Sequence, residues 1–185
     1  MTELLKEIYE KKMTPEEFMK IYKFQPFLEL GDVCLDLHRS LRKGFPEVVF
    51  CPGKSLDRIK KIARNLYRYH RLVLLTKADL RIARSLKKIF PKLKYFPEAR
   101  IILIGRKRKK TGGKTGVITG GSSDIPIAEE AAVTCEVMGR EVKRFYDVGV
   151  AGIHRLTHII DEIARCQVLI VVAGMEGALP SIISG

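Results

Sequence analysis

Three glycine-bearing stretches in the second half of the sequence combine residue types that hold anions and move protons. They are Gly120-Gly121-Ser122-Ser123-Asp124, the run DVGVAGIHR from Asp147 to Arg155, and the run AGMEGALP from Ala173 to Pro180. Glycine admits positive φ and lets a ligand approach the backbone. A helix N-terminus beyond it offers free N–H groups at a positive dipole end. Gly121, Ser122 and Ser123 therefore suit a phosphate. Asp124 suits either a helix cap or ribose hydroxyls, and a plain capped turn is an equal reading of this stretch alone. In the second stretch His154 falls in a first helical turn, where the dipole favours the neutral imidazole that proton transfer uses. Arg155 beside it is placed to hold a phosphate or carboxylate, although a solvated His-Arg pair fits the same letters. In the third stretch Glu176 lies between Gly174 and Gly177 after a wholly apolar run. It can accept a proton, orient His154 or bind a ribose, or it is a solvated loop glutamate. The two glycines open the backbone to a nucleotide.

The weight of these stretches comes from the elements around them. From Val117 onward strand patterns alternate with helical ones: VIT, a helix over 126–138, VKRFYDV, a helix over 153–165, and VLIVVA over 168–173. Such alternation implies βαβ crossovers and a parallel sheet, in which ligands bind beyond the carboxyl ends of the strands. All three stretches leave those ends, so connectivity alone brings them together. The second helix carries Ile153, Leu156, Ile160 and Ile163 at core spacing.

The first half reads as a small basic α/β unit. Residues 2–12 suit a short amphipathic helix, and Thr14-Pro15-Glu16-Glu17 is a capping-box start for a helix to about Lys23. VCLDLH and EVVF suit strands. Ser55 caps a helix running to His70 with Leu56, Ile59, Ile62 or Ala63, and Leu66 on one face. LVLL (72–75) and ARIILI (99–104) are strands, with ADLRIARSLKKIF as a helix between them. The polar run GRKRKKTGGKTG (105–116) is a linker, giving units over 1–104 and 117–185.

The 185 residues are 46% hydrophobic, enough for a sizeable core. No apolar run reaches the roughly 20 residues of a membrane span, and the charged N-terminus is no signal peptide. Cys34, Cys51, Cys135 and Cys166 lie far apart without CxxC pairing. They read as reduced thiols of a cytoplasmic protein with no membrane partner, Cys135 and Cys166 being buried structural ones. The net charge of +13 is uneven: five Lys/Arg against nine Asp/Glu from Gly116 onward, and 29 against 12 before it, or −4 and +17. A nucleic-acid partner is disfavoured, because the basic half shows no aromatic-interleaved motif or zinc finger and the run Arg106–Lys110 reads as solvated. GGKTG is no phosphate loop, since the required glycine is replaced by Arg108. No metal site is expected: Cys34, His38, Cys51 and His70 lack zinc spacing, and His158 has no third ligand beside His154.

GGSSDIP, GIHR and AGMEGALP resemble the active-site loops of the PurE-type aminoimidazole ribonucleotide carboxylase/mutase fold. The fit is closer to the LarB family, the pyridinium-3,5-biscarboxylate mononucleotide synthases of nickel-pincer cofactor biosynthesis. VGVAGIHR, VVAGMEGALPS and the first-half run LDLHRSLRKGFPEVVFCPGKS carry it, over about residues 33–185. This resemblance implies a three-layer, flavodoxin/Rossmann-like, PurE-type parallel-sheet domain behind a small basic α/β domain. It implies that Ser122 to Asp124 hold a nucleotide phosphate and ribose, that His154 handles a proton, that Arg155 binds phosphate and that Glu176 lies beside the reacting ring. The implied activity is carboxylation of the pyridinium ring of nicotinic acid adenine dinucleotide, with CO2 or bicarbonate as co-substrate and cleavage of the phosphoanhydride. A homo-oligomer is implied, with no tightly bound cofactor and with magnesium compatible. Asp36, Arg39, Glu47 and Lys54 match the first-half motif without an attached role. The family's nucleophilic cysteine would lie beyond Gly185, so a chain that stops short, with an open sheet edge, is also expected. The competing expectations are a purine enzyme acting on carboxyaminoimidazole ribonucleotide, and a non-catalytic module that binds nucleic acid through the +17 half or only assembles with other subunits.

Overall fold

The structure, a computed structural model, describes residues 8–10, 12–22, 27–29, 31 and 33–185. Helix α1 (Pro15–Tyr22) starts as its capping box requires. The Glu17 N–H donates to Thr14 Oγ1 at 3.2 Å, and the Thr14 N–H donates to the Glu17 carboxylate at 2.8 Å. Of the helix expected over 2–12, residues 8 and 9 are helical and most of the rest lies outside the described residues. Strands β1 (Phe27–Glu29) and β2 (Cys34–Asp36) form an antiparallel pair, followed by α2 (Arg39–Lys43).

Next come β3 (Val48–Phe50), α3 (Leu56–His70), β4 (Leu72–Thr76), α4 (Leu80–Lys87), β5 (Lys94–Phe96) and β6 (Ile101–Gly105). The sheet order is β3-β4-β6-β5, parallel between β3 and β4 and antiparallel elsewhere. Strand β5 is not part of the sequence reading: three residues between Pro91 and Pro97 are too short to show alternation. Ser55 Oγ accepts the Arg58 N–H at 3.3 Å and starts α3. Its buried face, Ile59, Ile62, Ala63 and Leu66, packs against Val73 and Leu75 of β4.

The second sheet contains β7 (Lys114–Thr119), β8 (Glu141–Phe145) and β9 (Val168–Val172), in the order β8-β7-β9 with both pairings parallel. Helix α5 (Ile125–Val137) joins β7 to β8, and α6 (Ile153–Thr157) and α7 (Ile160–Ile163) join β8 to β9. Helix α8 (Ala178–Ser184) follows β9. Neighbouring strand residues face opposite sides, so Val117 meets Ala128 and Ala132 of α5, while Ile118 meets Leu156, Ile163 and Leu179. The expected three-layer α/β arrangement is present. The single helix expected over 153–165 is not: it breaks at His158 and Ile159, which re-phases its apolar face. Leu156 and Ile163 are buried, with Ile159 packed beside them. Ile153 and Ile160, both expected in the core, are 47% and 57% exposed.

Helix α5 has apolar residues on two faces and is covered on both. Ala128 and Ala132 lie on β7, while Val133 and Val137 pack on Leu72, Leu74, Ile101 and Leu103 of the first sheet. The run expected to link two units is correspondingly tied down. Strand β7 starts within it at Lys114. The Arg108 N–H donates to the Val137 carbonyl at 2.9 Å, and the Thr111 N–H to the Gly139 carbonyl at 3.0 Å. Gly139 is fixed by this contact: at φ +90 a Cβ would stand 2.3 Å from the Lys109 carbonyl oxygen.

Cys51 is buried, and burial pushes its thiol up to about 11. Cys34 is exposed, and Cys135 and Cys166 are half-buried rather than fully enclosed as expected.

Candidate functional site

The loops leaving β7, β8 and β9 meet at the carboxyl edge of the parallel sheet around a cavity of about 280 Å3. Local bonds set each loop. The Gly120 N–H donates to the Val172 carbonyl at 3.0 Å, holding the first loop against the end of β9. Thr119, wholly buried at the end of β7, accepts the Asp147 N–H at Oγ1 (2.9 Å) and the Val148 N–H at its carbonyl (3.0 Å). This holds the second loop beside the first. Their approach is so close that a Cβ on Gly149 would stand 2.4 Å from the Gly120 carbonyl oxygen. The third loop turns through Met175 and Gly177 at φ +53 and +68, and the Gly177 N–H donates to the Gly174 carbonyl at 3.1 Å.

Gly121, Ser123, Asp124, Arg155, Gly174 and Glu176 line the cavity. Ser122, His154 and Gly177 do not. Asp124 Oδ2 accepts the Gly121 N–H at 2.9 Å, so the aspartate closes its own loop rather than capping α5, whose start carries no side-chain cap. Arg155 Nη1 lies 2.8 Å from Asp147 Oδ2, and its guanidinium covers Gly152, where a Cβ would stand 2.7 Å from Nε. His154 is exposed on α6, and its carbonyl accepts the Thr157 hydroxyl at 2.8 Å. Successive helix residues point about 100° apart, so a turn that aims Arg155 at the cavity aims His154 elsewhere. Asp147 and Gly149 are the residues missed as contributors. The letters DVG hint at a turn, but only the fold gives Asp147 its φ of +58 and its arginine partner.

The wall carries two carboxylates, Asp124 and Glu176, and one cation, Arg155, whose charge Asp147 already offsets. Such a wall suits hydroxyl-rich and cationic groups at the carboxylates and an anion at Arg155. No cysteine lines it. Among the described residues no three His, Cys, Asp or Glu side chains gather as a metal site would require. No helix among them is long and apolar enough to cross a membrane.

A family model described as the LarB/PurE-like N-terminal domain matches residues 27–107. An uncharacterized protein of Methanocaldococcus jannaschii is 40% identical over 181 residues, covering 91% of this chain and 70% of that protein. The chain belongs to the LarB/PurE-like family. The LarB/PurE-like match spans β1 to the residues just after β6, ahead of all three cavity loops. The cavity therefore rests on its own geometry, while the likeness to the Methanocaldococcus jannaschii protein covers 91% of the chain.

Proposed function

We propose that the cavity binds a nucleotide bearing a pyridinium ring and serves its carboxylation, the LarB type of reaction. The observation that carries this is the wall itself: Asp124, Glu176 and Arg155 line one cavity at the carboxyl edge of a parallel sheet. Two carboxylates favour a cationic ring and ribose hydroxyls, and Arg155 favours the nucleotide phosphate. A volume of about 280 Å3 suits a mononucleotide unit, with the second half of a dinucleotide outside. A neutral imidazole ring, as in the purine reaction, gains less from the paired carboxylates.

A pyridinium carbon is too electron-poor to attack CO2. A thiolate must first add to the ring, giving an electron-rich dihydropyridine. The C–C bond to CO2 then forms, the ring carbon loses its proton, and the thiolate departs as the aromatic ring is restored. Glu176 is the carboxylate this reading assigns to receive that proton, and Arg155 holds the phosphate once the anion displaces Asp147. The thiol comes from outside this wall. His154, next to Arg155 but off the wall, serves as the comparison position. Hydrolysis of the phosphoanhydride and assembly into a homo-oligomer belong to the same proposal.

Thermal unfolding with and without nicotinic acid adenine dinucleotide tests the binding step. Ligand at ten times its Kd should add about 1.4 kcal/mol, or roughly 3–5 °C for a chain of this size. Arg155→Met and Glu176→Gln should each at least halve the shift, and His154→Ala should change it less. No shift at millimolar ligand would overturn the reading, and a shift with carboxyaminoimidazole ribonucleotide alone would replace it with the purine reaction.

A further inference from the structure

A second concave site lies on the first sheet, away from the cavity loops. Its volume is about 570 Å3, and its wall runs from Ser40 and Pro46 past the end of α3 to the residues leaving β6. Four basic side chains line it: His70, Arg71, Arg106 and Arg108. No Asp or Glu does. This is the reverse of the cavity at the second sheet, where the carboxylates outnumber the cation.

The arginines are held near one another but are not neutralised. Helix α3 ends with Arg71 in the left-handed conformation at φ +55. Gly105 at φ +100 lets β6 pass directly against that end, since a Cβ there would stand 2.1 Å from the Arg71 carbonyl oxygen. This close passage fixes Arg71 and Arg106 on one rim. Arg71 lies over the Tyr67 ring, 5.7 Å from its centroid, and has no acidic partner among the described residues; neither does Arg106. Arg108 donates one N–H to the Gly44 carbonyl, which anchors the guanidinium and leaves its other donors for a ligand. His70 also lines the hollow, although its Nε2 is buried and has no hydrogen-bond partner there.

The aromatic part of the wall is equally defined. Tyr67 and Tyr69 line the same concavity. Beyond Tyr67, Gly105 and Arg106 an adjoining hollow of about 600 Å3 continues past Phe90 and Lys92. Phosphate groups suit a fork of planar guanidinium donors, and a flat heterocycle suits tyrosine faces and an arginine stacked on one of them.

We propose that this basic hollow is a second ligand site, one that binds the phosphates of a free nucleotide through Arg71, Arg106 and Arg108 with its base against Tyr67 or Tyr69. The site is independent of the pyridinium cavity and shares no residue with it. It also gives the charge asymmetry of the chain a location: part of the +17 of residues 1–115 is concentrated on one concave wall.

Isothermal titration of the Met1–Gly185 chain with ATP, at low salt, tests the proposal. Binding is expected to weaken at least about tenfold in the Arg71→Gln, Arg106→Gln double variant, both positions being exposed. It is expected to survive Asp124→Asn and Glu176→Gln, which separates this site from the first cavity. Pyrophosphate should compete with ATP, and adenosine should bind far more weakly. Absence of ATP binding at millimolar concentration would overturn the proposal, as would ATP binding unchanged in the double variant. A single-stranded 20-mer that binds orders of magnitude more tightly than ATP, with loss in the same variant, would also overturn it in favour of a nucleic-acid surface.

Discussion

Gly149 and Gly120 make their effect at atomic separation, because the loops leaving β8 and β7 touch through a glycine that has no room for a side chain. Gly149→Ala places a methyl 2.4 Å from the Gly120 carbonyl oxygen. The two loops must part, and a destabilisation of about 1–3 kcal/mol is expected, with loss of nucleotide-induced stabilisation. Thermal unfolding with and without ligand measures both. A variant as stable and as ligand-responsive as the parent would show that the loops are not held by this contact. The same scale separates Arg155 from His154. Both stood out in the sequence because residue type and position near a helix start were legible there. Which of the two faces the cavity depends on helix phase, which the letters do not contain. Met175, fully exposed at φ +53, gave no sequence signal either, since a bulky residue in left-handed backbone contradicts local preference and exists only because the turn around it requires it.

Helix α5 shows how one element serves two sheets. Its outer face carries an ionic network in which Arg144 of β8 reaches Glu129 at 2.7 Å and Glu136 at 2.6 Å. The Tyr146 hydroxyl donates to Glu129 at 2.6 Å. Burial pushes the two glutamates up, but hydrogen bonds from Arg144 and Tyr146 to Glu129, and from Lys107 and Arg144 to Glu136, more than reverse this and hold both below the usual carboxylate range. Burial and the neighbouring Glu129 raise the Tyr146 phenol well above its ordinary value. Arg144→Met leaves the partly buried Glu129 without its cation and Glu136 with Lys107 alone, and a loss of about 1–3 kcal/mol is expected, less than for a fully enclosed pair. Adding Glu129→Gln should recover part of it. Urea denaturation of the single and double variants measures the coupling, and strict additivity of the two changes would refute it. The sequence marked α5 as a crossover helix from its caps and length. Its second buried face was not legible, because Val133 and Val137 find their partners in strands from the first half of the chain.

At the scale of the whole molecule, acid sensitivity differs between the two sheets. Burial lowers His70 and His38 from their ordinary value near 6.5. Their unfolded forms bind protons first, so the stability these groups add is present above that value and is lost as pH falls through their lower folded values. Glu129 and Glu136 act in the same direction further down, losing their contribution as pH falls below about 4.5. Glu47, raised by burial, opposes them in the carboxylate range. The melting temperature should therefore fall between about pH 7 and 5, and His70→Gln should flatten that slope while leaving the drop below about pH 4.5. A slope unchanged in the variant would remove His70 from the account. The second sheet is bound to the first through α5 and the run 106–113, and the free side of β9 has no strand partner among the described residues.

The sequence by itself determined the α/β class, the parallel second sheet and the meeting of the three glycine loops, with the family resemblance carried by those loops and the first-half run. Those properties follow from local periodicity, capping residues and connectivity, all written along the chain. Only the tertiary structure decided that Arg155 rather than His154 lines the cavity, that Asp147 holds that arginine, and that α5 is packed between two sheets. It also brought Arg71, just past the end of α3, beside Arg106 beyond β6, across a glycine too small to keep them apart. Each of these depends on side-chain direction and on contacts between segments far apart in sequence, and neither is encoded in the spacing of nearby residues.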